Sequence, residues 1–169
     1  MAHIKVQTED FDVGAEIAAL TAGRTDVGGI GCFVGVVRDN GPSVTAQSVA
    51  DPSVTARSVT ARSVTAMTLE HYPGMTERAI ARIVEQASER WPLRGCTVIH
   101  RVGTLLPGEN IVLVIAASSH RQAALDATAF LIDWLKTRAP FWKREDLANG
   151  DGAWVNAREE DNAAASRWG

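Results

Sequence analysis

The sequence predicts a mixed α/β (α+β) fold in one domain, residues 1–169, and three observations predict it. Segments with apolar residues at helical spacing alternate along the chain with segments dense in β-branched residues. Glycine and proline punctuate the junctions, at Gly28-Gly29, Pro73-Gly74, Pro92, Pro107-Gly108 and Pro140. The chain has 169 residues, 46% of them hydrophobic, which suffices for one proper core.

The elements follow in order. Residues 3–8 alternate weakly and predict a strand. Helical spacing over 13–22, with Asp12 ahead of it as N-cap, predicts a helix. After the glycine pair, IGCFVGVVR at 30–38 reads as a buried strand. A second strand ends near His71, because Val64, Ala66, Thr68 and Glu70 alternate with Thr65, Met67, Leu69 and His71. Over 76–91, Ala79, Ile80, Ile83, Val84 and Ala87 form the apolar stripe of a helix that Pro92 stops. Strands at 97–102 and 111–117 are joined across Pro107-Gly108. A long helix begins at Ser119 and runs to about Arg138, with Pro140 as its stop. Ser119 and Gln122 have the spacing of a capping box. Residues 141–169 are aromatic, charged and short of periodicity.

Between Ser43 and Ala66 the motif SVTA, or a near copy, occurs five times at five-residue spacing. A strand repeats its faces every two residues and a helix every 3.6. A period of five keeps neither element's face apolar. A square β-solenoid needs larger inward residues and more rungs. Val and Thr leave an extended hairpin open. The preferred reading is a tandem expansion that lengthens a loop over 40–62 and is disordered when free. The alternative that it covers the site on binding ranks below.

Composition removes several classes. The formal net charge is −3, which argues against a bulk nucleic-acid binder. No apolar run reaches the ~20 residues that span a bilayer. MAHIKVQTEDF lacks the apolar stretch of a signal peptide, so a cytoplasmic protein without membrane contact is expected. Cys32 and Cys96 lie in apolar, strand-like context and read as buried thiols rather than a disulfide. No CxxC or His/Cys cluster calls for a metal, and no cofactor is expected.

Cations mark the candidate chemistry. His120 and Arg121 occupy the first turn of the long helix, where free N–H groups and the positive end of the dipole already favour an anion. Lys136, Arg138, Lys143 and Arg144 crowd LKTRAPFWKRE with Phe141 and Trp142 between them. Charge runs usually mark solvated surface. Here Pro140 and the aromatics should fix the lysines in a partly dry setting, where a lysine loses its proton more easily. Arg38 ends a strand, where sites on α/β sheets often lie. The three groups suggest an anionic ligand, a phosphate by preference. There is no Ser-His-Asp order, no GxxxxGK[ST], no GxGxxG and no metal-ligand spacing. Any reactive group is then supplied by a partner. His3 reads as solvated, and His71 and His100 as packed and hydrogen-bonded.

FVGVVR, TLEHYPGMTE, RWPLRGCTVIHRVG, SSHR, LKTRAPFWKRE and the closing WVNAREED with its final RW together resemble the catalytic (large) subunit family of molybdopterin synthase. The resemblance runs from about Val13 to Trp168 and omits the repeat. It implies an α/β hammerhead fold and conversion of cyclic pyranopterin monophosphate (precursor Z) to molybdopterin by installing a dithiolene. It implies a small ubiquitin-like partner that delivers sulfur as a C-terminal Gly-Gly thiocarboxylate, and a central homodimer of large subunits. By matched motif, Arg38, His120 and Arg121 should bind substrate. Lys136 should be essential, protonating or stabilising an intermediate as sulfur displaces oxygen. Lys143, with Arg144 and Glu145, should complete the pocket, and Arg158 of NARE should assist. Val36 departs from the family's lysine before the Val-Arg pair, which thins the positive field and limits Val36 and Val37 to backbone contacts.

His120 and Lys136 stand 16 residues apart on the predicted helix, or ~24 Å at ~1.5 Å rise per residue. A small pterin phosphate does not bridge that distance. If both touch substrate, they come from two copies of the chain. Two other classes stay open: a pterin or phosphate binder without catalysis, which has no need of Lys136 and Lys143, and a module that only docks a ubiquitin-like tail.

Overall fold

The computed structural model describes residues 2–39, 64–147, 150–155 and 159–169. The loop expected over 40–62 and the candidate Arg158 lie outside the described residues. The described elements are β1 (Ala2–Gln7), α1 (Val13–Thr21), β2 (Gly29–Val36), β3 (Val64–His71), α2 (Met75–Arg90), β4 (Leu93–Arg101), β5 (Gly103–Leu105), β6 (Asn110–Ser118), α3 (Arg121–Thr137), β7 (Phe141–Leu147), β8 (Gly152–Val155) and α4 (Glu159–Ser166). The mixed α/β class is the one the residue pattern predicts.

Two four-stranded sheets carry the molecule, one ordered β1-β4-β6-β2 and the other β5-β3-β7-β8. In the first, β1 runs parallel to β4, and β6 is antiparallel to both β4 and β2. Strand parity explains its two cores. Cys96, Val98 and Val114 face α2 and α3, where Ile80, Ile83, Val84, Ala87, Phe130 and Leu131 meet them. Ile99, Leu113 and Ile115 face the other way and pack with Phe11, Val13, Ile17 and Leu20 from around α1. Ile80, Leu131, Val98 and Val114 are each fully buried, worth about 1.5–3 kcal/mol apiece relative to exposure.

Caps and glycines set the ends. Asp12 accepts a hydrogen bond from the Ala15 N–H at 2.9 Å and caps α1, as its position predicts. Gly74, at φ 78°, opens α2, and the Glu77 carboxylate accepts its N–H at 2.7 Å. Along β2, glycines let α3 approach the backbone. A methyl at Gly29 would lie 3.1 Å from Arg121 Cα, and one at Gly31 would collide with Thr128 Oγ1 and the Ala124 carbonyl.

The structure corrects several expectations. The long helix starts at Arg121, not Ser119, with His120 as N-cap and no side-chain cap. The Ser119–Gln122 capping box does not form, because the Gln122 amide donates instead to Asp126 one turn ahead, at 2.8 Å. The strand expected from 97 begins at Leu93, since a register irregularity between Leu93 and Gly95 hides its alternation. The strand expected over 30–38 ends at Val36, and Val37 is then held by exchanging backbone bonds with Glu109 and Gly108. Cys32 is exposed, because β2 is an edge strand, while Cys96 is buried as expected.

The segment from Phe141 onward is ordered into β7, β8 and α4 by its partners. β7 pairs with β3, and β8 with β7. Trp168 pins the chain end: its ring meets Trp91 and Phe130 edge-on at 5.7 and 5.5 Å, and its indole N–H donates to Asp133 at 2.8 Å. Among the described residues, no helix is long and apolar enough to cross a membrane.

Candidate functional site

A cleft of about 980 Å³ opens where the end of β2, the C-terminal end of α3 and the β3–β7 face of the second sheet converge. Its size suits a small organic ligand. Met67, Leu69, Ile111, Val112, Ile132 and Leu135 give it apolar walls. Arg38, just past β2, Lys136, in the last turn of α3, and Lys143, on β7, bring three cations to it from three separate segments.

Each element delivers its cation for a local reason. Val37 is buried, and its backbone bonds to Glu109 and Gly108 hold the chain that presents Arg38. Lys136 follows the buried Leu135, so the α3 stripe that packs the core sets its azimuth. Along β7, Phe141, Lys143 and Glu145 share the cleft side, whereas Trp142 and Arg144 share the other.

Three carboxylates line the same cleft. Glu145 lies 2.6 Å from Lys143 Nζ, and Asp161 of α4 lies 3.7 Å from Lys136 Nζ. The Asp39 carboxylate accepts the Val64 N–H at 3.1 Å. Among the described lining residues, three cationic and three anionic side chains therefore balance, with His100 neutral. The ion pairs are partly solvated and contribute little to stability. They hold the lysines in place without burying their charge.

The cleft's lining contains no serine, threonine, cysteine or tyrosine among the described residues. Burial pushes the Cys96 thiol up to about 12, and burial also raises Cys32, so neither is poised as a thiolate. The site as described offers charge, shape and proton donors, and no hydroxyl or thiol nucleophile.

Of the residues singled out from sequence, Val36, Val37, Arg38, Lys136, Lys143 and Glu145 line the cleft. Arg144 does not: it faces away and pairs with Asp146 at 3.2 Å. His120 and Arg121 are exposed at the opposite end of α3 from Lys136 and do not line the cleft of their own chain.

Asp39, Asp161 and His100 also line the cleft and are not marked as site residues by the sequence. His100 is packed and hydrogen-bonded, as expected, but it also forms part of the cleft wall. Its Nδ1 lies 2.8 Å from the Arg101 carbonyl, and its ring stacks on Phe141 at 3.8 Å between centroids, 18° from parallel. Burial, with a smaller contribution from nearby His71, lowers its pKa to about 4 against the opposing bond to Arg101. In VIHR its polarity amid apolar neighbours was the only signal. The cross-sheet stack on Phe141 was invisible.

The chain matches the family described as MoaE protein over residues 6–138. It is 52% identical to the molybdopterin synthase catalytic subunit of Mesorhizobium japonicum over 166 residues, 98% of this chain and 92% of that one. The molybdopterin biosynthesis MoaE protein from Burkholderia ambifaria superposes with a TM-score of 0.76 at 45% identity, covering 99% of this chain and 98% of that one. The same fold, at 18% identity and a TM-score of 0.63, occurs in the complex of subunits 1 and 2 of molybdopterin-converting factor from Helicobacter pylori, over 92% of this chain and 90% of that one.

Proposed function

Because the chain belongs to the MoaE protein family, we propose that it acts as the catalytic subunit of molybdopterin synthase through the cleft of Arg38, Lys136 and Lys143. The reaction turns cyclic pyranopterin monophosphate into molybdopterin. Sulfur arrives on the C-terminal Gly-Gly thiocarboxylate of a small ubiquitin-like subunit, and two sulfurs become the dithiolene. The observation that carries this reading is the convergence of three cations on a cleft whose described lining holds no hydroxyl or thiol nucleophile. An anionic substrate needs the cations, and a nucleophile brought by a partner makes a resident one unnecessary.

In this reading Arg38 and Lys143 hold the phosphate and the pterin end, and Glu145 orients Lys143 through its 2.6 Å contact. Lys136 stands where the thiocarboxylate enters. It donates a proton to, or stabilises, the oxygen that sulfur displaces. Val36 and Val37 contribute backbone. Arg144 faces away and is given no substrate contact.

The charge balance within one chain supports a shared site. Among the described lining residues three carboxylates offset the three cations, so in this reading the positive excess that an anion requires comes from outside them. His120 and Arg121 of a second copy supply it, with Arg158 as a further candidate. We read the whole chain as one domain acting in the cytoplasm, with the 40–62 segment as an insertion dispensable for turnover.

The test is reconstituted turnover. The purified chain is mixed with thiocarboxylated small subunit and cyclic pyranopterin monophosphate, and the dithiolene pterin is detected after oxidation to a fluorescent form. Native protein should give product, and Lys136→Ala should lose a factor on the order of 10²–10³. Equal product from both would discard the role of Lys136. Absence of product from either, with the partner bound, would favour a docking module.

A further inference from the structure

We propose that His100 reads the substrate's heterocycle, its Nε2 accepting a hydrogen bond from an N–H or O–H of the ring system while the cations hold the phosphate. The inference rests on the functional reading above and deepens it by naming the residue that separates a pterin phosphate from other phosphates.

The geometry points to Nε2 as the free acceptor. Nδ1 faces the Arg101 carbonyl, which can only accept, so Nδ1 carries the proton of a neutral ring. Nε2 then holds a lone pair. No hydrogen bond joins it to the described residues, yet no buried side-chain nitrogen or oxygen among them lacks a partner. Nε2 must therefore reach open space, and the open space beside His100 is the cleft.

The surroundings make this acceptor distinctive. Arg38, Lys136 and Lys143 donate, Glu145 and Asp161 are already engaged by lysines, and Asp39 accepts the Val64 N–H. A phosphate held on the cations turns its anionic oxygens, which only accept, towards them, and even with a P–OH it gains little from His100. A pterin offers ring N–H and amino donors and gains a partner. The stack on Phe141 fixes the imidazole plane, so the lone pair is held in direction. The low pKa keeps the nitrogen available throughout the neutral range.

The experiment compares two probes, cyclic pyranopterin monophosphate and inorganic phosphate, by calorimetric titration of native protein, His100→Phe and His100→Gln. His100→Phe keeps the stacking surface and removes the acceptor. It should weaken the pterin phosphate about tenfold and leave inorganic phosphate unchanged. His100→Gln, which restores a carbonyl acceptor, should recover part of the loss. Equal loss for both probes would mean a structural role and overturn the proposal, and so would no loss for either. If the native chain fails to bind the pterin phosphate, the functional reading falls and this inference with it.

Should the variants fail to fold, nitrogen-15 NMR of histidine-labelled native protein decides. The non-protonated Nε2 resonance of His100 should move on adding the pterin phosphate and stay still on adding inorganic phosphate. A resonance that ignores the pterin would refute the assignment.

Discussion

The two ends of α3 carry similar residues into different surroundings. At its C-terminal end, Lys136 enters a cleft, opposite Asp161 and beside apolar walls. At its N-terminal end, His120 and Arg121 stand exposed over the start of β2. A cation at the C-terminus of a helix is stabilised by the dipole, whereas cations at the N-terminus are opposed by it and are best explained by an incoming anion. One helix thus delivers cations to two places. On the shared-site reading proposed above, neither place is complete in a single chain.

Separating the two ends genetically should have the largest effect. Lys136→Ala and Arg121→Ala chains should each be nearly inactive alone. Mixed and reassembled, they should regain about a quarter of native turnover, because half the dimers are mixed and each mixed dimer keeps one intact site of its two. Failure to recover would confine the site to one chain.

His100 stays uncharged in the fold, while the unfolded chain binds a proton below the ordinary value of 6.5. Stability should therefore fall as pH drops from about 6.5 towards about 4, by ~3 kcal/mol in all, and then level off for this group. Urea unfolding across that range should show the slope in native protein and a flatter limb in His100→Gln. Identical limbs would place the lost stability elsewhere.

A smaller effect belongs to the seam that aligns the two ends. Gly31→Ala places a methyl against Thr128 and 2.6 Å from the Ala124 carbonyl, so it should cost about 1–3 kcal/mol in denaturant unfolding. An unchanged midpoint would mean that α3 shifts freely over β2. The smallest effect is expected at Arg144→Ala, within about threefold of native turnover, because that side chain pairs with Asp146 away from the cleft. A large loss would bring Arg144 into the site through a second copy.

Much of this was legible where one residue pattern met one physical requirement. Ile80, Ile83, Val84 and Ala87 announced α2 because burial at helical spacing leaves few other solutions. Asp12 announced the start of α1 in the same way. β7 was not legible: FWKREDL places charges on both faces, and its strand character comes from pairing with β3. Within the site, Arg38, Lys136 and Lys143 were visible as cations in an acidic chain. The inward turn of Lys143 against the outward turn of Arg144 needed the strand, and His100 needed its contact with Phe141.

The close seating of α3 on β2 also makes the helix a ruler. Arg121 rides over Gly29, Thr128 over Gly31, and Lys136 arrives where β2 gives way to Arg38. Adding one residue to such a helix advances its far end by ~1.5 Å and turns it by ~100°. A single insertion would swing the lysine out of phase with the cleft while barely changing the length. The spacing between the two ends can thus be altered only in near-whole turns, a constraint that the five-residue repeat, which precedes α3 in the sequence, does not share.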